Sequence, residues 1–243
     1  MGLFTSIVKI AIINAFLLVA SSQGQDRGGT PPGDGYMYIG GVLSRAHMSG
    51  SLEYWGVCDF KDYYPNFPKL QALTSQEVED SPLGQLQKMF SIDPNMRVTE
   101  DDEKIIRMVE TDVPSDLLDL RIPHLHFRTD YQGPNWAMQA ILRAPEVMAF
   151  RREHNIGPEY DWQPGFPVTG AIPNSSVTGD LHDVTVREGL DYILKTYPGF
   201  WMYENCKTPT GGRIVYMQFV QNIPTPPTMP TLGEAPKNEA SSH

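Results

Sequence analysis

The sequence predicts an α+β protein in which two βαββ modules flank a helical middle segment, with a flexible leader and a disordered C-terminal tail. Three observations carry that prediction. Segments 81–104 and 185–208 match in pattern without a gap. Each opens on a helix cap, continues as an apolar helical face and stops at a proline turn before a strand-like run. Two-residue alternation surfaces elsewhere, as in Ile214, Tyr216 and Gln218, where it marks strands. Finally, glycine- and proline-rich ends bracket a central region of ordinary globular composition.

The N-terminal residues read as an export signal. Ile10 to Ala20 is an apolar run preceded by Lys9, too short to span a bilayer and suited to a signal-peptide core. Small residues at Ala20-Ser21-Ser22 place cleavage after Ser22, with Gly24 as second choice; the alternative is an uncleaved anchor helix. Residues 1–22 are thus the expected signal peptide and 23–35 the flexible leader. The mature chain is expected in the periplasm or secreted, without stable membrane insertion. A net charge of −10 and a pI near 5.0 argue against nucleic acid, whose phosphates require a basic surface.

The first module spans 36–110. Tyr36 to Leu43 and Ser51 to Val57 look like strands. Ser81 caps a helix that begins at Pro82 and buries Leu86, Met89 and Phe90. Asp93-Pro94-Asn95 turns the chain into a hairpin of Met96–Thr99 and Ile105–Glu110 about an acidic turn. The middle segment, 111–165, begins with a half-buried strand through Leu118, Leu120 and Ile122, which Pro123 ends or confines to an edge. Helices follow from Asn135 to Arg143 and from Pro145, stopping at Asn155-Ile156-Gly157-Pro158; residues 158–173 read as an extended loop.

The second module, 166–221, repeats the plan. A strand end at Asp183–Val184 leads to a helix from Val186 to Lys195, capped by Thr185 and Glu188 in the manner of a capping box. Strands follow at Phe200–Tyr203 and Arg213–Gln221. Residues 222–243 are poor in large apolar side chains and read as a disordered tail.

The run DVTVREGLDYILKTYPGFWMYE (183–204) resembles the short N-terminal domain of secretins and TonB-dependent proteins, in which a strand, a leucine-bearing helix and a hairpin recur in tandem. That resemblance covers about a third of the chain. It implies periplasmic modules that mediate contacts between envelope proteins, in some cases by presenting a strand edge.

Chemistry is sparse. His124-x-His126 has metal-like spacing, since alternate residues of a strand share a face. Two ligands do not define a zinc site, and His182 and Asp183 qualify as further ligands by residue type alone. The competing reading puts both histidines on the solvated side of an edge strand, with Leu125 and Phe127 inward. Glu100-Asp101-Asp102-Glu103 lacks the spacing of a calcium loop and reads as a solvated turn. Ser49 has no nucleophile-elbow context, and no phosphate-cradling glycine loop is present. Tyr54, Trp55, Trp162 and Trp201 serve either as core or as a sugar platform. Asn174-Ser175-Ser176 fits a glycosylation sequon. Cys58 and Cys206 are an even pair in an exported chain, which suits a disulfide.

These observations predict a non-enzymatic interaction or scaffold protein of the cell envelope, with no catalytic residue and no cofactor. It would bind an envelope or secreted protein partner through module surfaces or a sheet edge. The edge residues expected to matter are Ile106 and Met108 in one hairpin and Ile214, Val215 and Tyr216 in the other. The alternatives are a metal-dependent hydrolase built on His124 and His126, or a carbohydrate- or small-ligand-binding protein.

Overall fold

A computed structural model describes residues 35–56, 67–73, 76–128, 133–157, 176–207 and 211–221. The expected signal peptide, loop 158–173 and tail lie outside these residues, as do Cys58, Trp162, all of the sequon but Ser176 and all of the leader but Gly35, which opens the first helix. The chain runs α1 (Gly35–Arg45), β1 (Ser49–Gly56), a 3-10 turn (Glu77–Glu79), α2 (Pro82–Met89), β2 (Met96–Glu100) and β3 (Ile105–Glu110). It continues through β4 (Arg121–Phe127), α3 (Pro134–Leu142), α4 (Pro145–Glu153), β5 (Gly179–Thr185), α5 (Val186–Thr196), β6 (Gly199–Lys207) and β7 (Arg213–Gln221). The class is α+β, and the order β-α-β-β occurs twice, as β1-α2-β2-β3 and β5-α5-β6-β7.

Both helix starts follow from local sequence. The Ser81 hydroxyl accepts a hydrogen bond from the Gly84 N–H at 3.2 Å, with Pro82 in the first turn. Thr185 and Glu188 form a reciprocal capping box: the Glu188 N–H donates to Thr185 Oγ1 at 3.1 Å, and the Thr185 N–H donates to the Glu188 carboxylate. The acidic turn is indeed a hairpin turn. Asp101 Oδ1 accepts from the Glu103 and Ile105 N–H groups, and Lys104 takes a positive φ of 65°.

The two units share one sheet. Its strand order is β2-β3-β1-β6-β7, with β1 central and parallel to both β3 and β6, and an antiparallel hairpin outside each. Right-handed crossovers leaving in opposite directions put their helices on opposite faces. Accordingly, α1 and α2 cover one face with Ile39, Leu43, Leu86 and Met89 against Leu52, Ile106 and Phe200. On the other face, α3 and α5 bring Met138, Ile141, Leu190 and Ile193 against Trp201, Val215 and Phe219. Gly189 permits this approach of α5, because a Cβ there would meet Leu125 and Ile141 at 3.0–3.1 Å. Strands β4 and β5 form a separate antiparallel ribbon, with Leu125 and Phe127 turned into the second core.

Several expectations change. Residues 36–43 are helical: Ile39, Val42 and Leu43 recur at three- and four-residue spacing and are buried, while Met37 and Tyr38 face outward. The aromatic and β-branched residues of this run, with Gly40 and Gly41 between them, hide that period. Leu117 and Leu118 are buried in a turn, and the strand starts later, at Arg121. Pro123 lies inside β4, at a position absent from the pairing register, which a two-stranded ribbon tolerates. Most consequentially, Ile105–Glu110 is not an edge. It is paired on both sides, and Ile106 and Met108 are fully buried. They cannot receive a partner strand.

Candidate functional site

Strand β7 is an outer strand of the sheet, so Ile214, Val215 and Tyr216 do lie on an edge. Its ends are clamped by the protein itself. The Arg213 carbonyl accepts from the Gly157 N–H at 2.8 Å, where Ile156 forms an isolated bridge with Arg213. The Phe219 N–H donates to Asn135 Oδ1 at 3.0 Å. Backbone groups of alternate residues point the same way, so Val215 and Met217, between the clamps, present theirs outward too. Val215 and Met217 are buried as whole residues, so little of that outward main chain reaches solvent. Beside the Asn135 clamp stands Trp136 on α3, 57% exposed and the most exposed large apolar side chain among the described residues.

A second constellation lies between α5 and the sheet. Arg107 of β3 makes paired hydrogen bonds to both oxygens of Asp191 at 2.8 and 2.9 Å and reaches Asp101 Oδ2 through Nε at 2.8 Å. The Trp201 indole N–H donates to the same Asp191 carboxylate at 2.8 Å. Arg187 pairs with the buried Glu53, and both guanidiniums stand about 6 Å from the Trp201 ring centroid (6.0 and 5.9 Å). Burial opposes the charge on Arg107, but the hydrogen bonds of Asp191 and Asp101 outweigh it and raise its pKa. A cavity of about 520 Å³ opens here, with Arg97, Arg107 and Arg187 facing Glu53, Glu110 and Asp112. Carboxyl ends of parallel strands are a common ligand position. In this cavity cations and carboxylates offset one another, and the network fastens α5 to the sheet rather than projecting a field.

On the opposite face, Glu204 of β6 occupies a position otherwise given to apolar side chains. Its directly paired residue across the sheet, Tyr54, donates its hydroxyl hydrogen bond to Glu204 Oε2 at 3.1 Å. Burial raises the Glu204 pKa to about 7, against the lowering effect of that hydrogen bond. Gly56 makes room for the carboxylate, since a Cβ there would fall 1.7 Å from Oε1. Cys206 Sγ lies 3.6 Å from the same oxygen. Cys206 is fully buried and disulfide-bonded; the other cysteine of the sequence, Cys58, lies outside the described residues.

The histidine pair sits on the exposed face of the β4–β5 ribbon. His124 lies directly opposite His182, and His126 opposite Asp180. His124 Nε2 and His126 Nδ1 approach a single oxygen, Asp180 Oδ1, at 3.0 and 2.7 Å. These contacts, His126 first, hold the Asp180 carboxyl below its ordinary pKa. The His124 and His182 rings stack with centroids 4.9 Å apart and planes inclined by 5°. The carboxylate in the cluster is therefore Asp180, not Asp183, which is bound instead to Arg121.

No family model, curated protein or solved structure matches this chain. Function must therefore be read from the geometry alone.

That geometry disperses the alternative of a sugar platform and puts Tyr54 and Trp201 in the core-packing role. Tyr54 and Trp201 are fully buried in opposite cores, Trp55 is half-buried, and Trp162 lies outside the described residues. Among the described residues no helix is long and apolar enough to cross a membrane. Two groupings escaped the sequence reading. Glu53, Arg107 and Asp191 each stand as a lone charge in an apolar stretch, which is a signal of a buried ion pair without naming its partner. Asp180-x-His182 mirrors His124-x-His126, and its two-residue period places both side chains on one face.

Proposed function

We propose that this protein is an exported, non-catalytic interaction module that docks a protein partner along the outer edge of β7. One observation carries the reading: β7 is an outer strand of the sheet, and Trp136 stands exposed beside the Asn135 clamp on it. With so little main chain of the strand reaching solvent, affinity requires a side-chain anchor. An exposed tryptophan is the commonest kind. The paired βαββ order supports a role in contacts between envelope proteins, and the apolar run at Ile10–Ala20 supports export.

The test compares the wild-type protein with Val215→Pro and Trp136→Ala in capture of envelope proteins, followed by titration of whatever is retained. Proline at 215 removes an N–H turned away from β6, so the β6–β7 hairpin is expected to persist by circular dichroism. The expected result is a saturable partner lost from both folded variants. Equal retention by all three proteins would overturn the edge-docking proposal.

A further inference from the structure

The histidine ribbon stands apart from the docking edge and has chemistry of its own. We propose that His124, His126 and Asp180, completed by His182, bind one divalent transition-metal ion of the zinc class on the exposed face of the β4–β5 ribbon. The four residues form two cross-strand pairs on adjacent positions of one face, His124 with His182 and His126 with Asp180. Zinc bonds to imidazole nitrogen and carboxylate oxygen are about 2.0–2.1 Å long, so two ligands of one tetrahedral ion lie about 3.3 Å apart. Asp180 Oδ1 already lies 3.0 Å from His124 Nε2 and 2.7 Å from His126 Nδ1. A small outward movement of the carboxylate admits the ion between the three atoms, with the metal replacing the imidazole protons that now bridge them.

Among the described residues no group of three or more His, Cys, Asp or Glu side chains is arranged to hold a metal ion as it stands. His182 must rotate to serve as the fourth ligand, because its ring is stacked on His124 rather than aimed at Asp180. Rotation to reach the ion is inexpensive here. His124, His126 and Asp180 are more than half exposed, and His182 is also exposed, so no core packing holds these rotamers. The strands beneath them are fixed by Leu125 and Phe127 in the core, so ligand spacing is set by the ribbon rather than by a mobile loop. Imidazoles with one carboxylate select zinc, cobalt, nickel or copper over calcium and magnesium, which prefer all-oxygen sites.

The test is a cobalt titration of the untagged, metal-stripped protein followed by visible absorption, then displacement by zinc. Expected is saturation at one ion per chain, with His126→Ala and His182→Ala each weakening binding by roughly tenfold or more. His154→Ala, at the C-cap of α4, should leave the isotherm unchanged. Absence of a saturable cobalt band would overturn the proposal. So would an affinity indifferent to His126→Ala, or one that depends on His154.

Discussion

Replacing Glu204 by glutamine should make the protein more stable at pH 8 and leave it nearly unchanged at pH 4. The side chain is 4% exposed, and its carboxyl has been pushed from an ordinary 4.5 to about 7 by burial. The folded state therefore holds this proton more tightly than the unfolded chain does. Below about pH 4.5 both states are protonated, and the neutral carboxyl accepts the Tyr54 hydrogen bond without penalty. As pH rises from 4.5 towards 7 the unfolded chain ionises first, and stability falls by up to about 1.4 kcal/mol per pH unit. Above 7 both forms are ionised, and the folded state carries the whole penalty. A shift of about 2.5 units corresponds to about 3 kcal/mol.

Glutamine keeps an acceptor for Tyr54 and cannot ionise, so it escapes this penalty. The assay is urea unfolding of both proteins at half-unit intervals from pH 4 to 8.5, without reductant so that the disulfide stays closed. The quantity to plot is the stability difference, in which the other carboxylates of this acidic chain cancel. It should be small at pH 4, rise through the window 4.5–7 and level off near 3 kcal/mol, equivalent to roughly 6–12 °C in Tm for a chain of this size. A difference that stays flat across that window would show that Glu204 does not titrate there, and would refute the reasoning.

Two further substitutions probe the opposite face. Asp191→Ala removes both oxygens that hold Arg107 and the acceptor of the Trp201 indole, while Asp101 still faces the guanidinium. A loss of about 3 kcal/mol is expected in denaturant unfolding, at the lower end for a broken buried pair; a loss under 1 kcal/mol would mean that water replaces Asp191. The Tyr203 hydroxyl is buried with Asn205 beside it but makes no well-formed hydrogen bond among the described residues. Tyr203→Phe should therefore be neutral or stabilising by about 1 kcal/mol, and a clear loss of Tm would reveal a partner for that hydroxyl.

What was legible in the sequence is what neighbouring residues decide. Ser81 with Pro82, and Thr185 with Glu188, fix helix starts through contacts three residues long, and both starts stand where the pattern put them. The outward face of His124 and His126 followed from strand alternation in the same way. The position of β3 inside the sheet did not, because it depends on β1, more than fifty residues earlier in the chain. Nothing in Ile105–Glu110 records that Ser49–Glu53 will lie alongside. Arg107 and Asp191 are 84 residues apart, so each charge was visible and the bond between them was not. The helix at Gly35–Arg45 was hidden for a different reason. Its composition favours a strand, and burial of Ile39, Val42 and Leu43 against the sheet overrides that preference.

The shared sheet also explains why an exposed histidine face exists at all. In chain order β5 is to the second βαββ unit what β1 is to the first, yet β1 pairs with the last strand of its own unit, β3, whereas β5 pairs with neither strand of the β6–β7 hairpin. Instead β6 lies parallel to β1, on the side opposite β3. A central strand must be buried on both faces. Across Gly50–Tyr54 β1 is buried without interruption, whereas Asp180, His182 and Asp183 of β5 are exposed. Placing β5 between two hairpins would bury those three polar side chains with few partners, at a penalty of several kcal/mol. One strand that satisfies both neighbours removes the need. The displaced β5 then pairs with β4, and a two-stranded ribbon packed through Leu125 and Phe127 has only one face to bury. The other face is free to carry histidines. The polarity that excludes β5 from the sheet is thus the same polarity that assembles His124, His126, Asp180 and His182 on one surface.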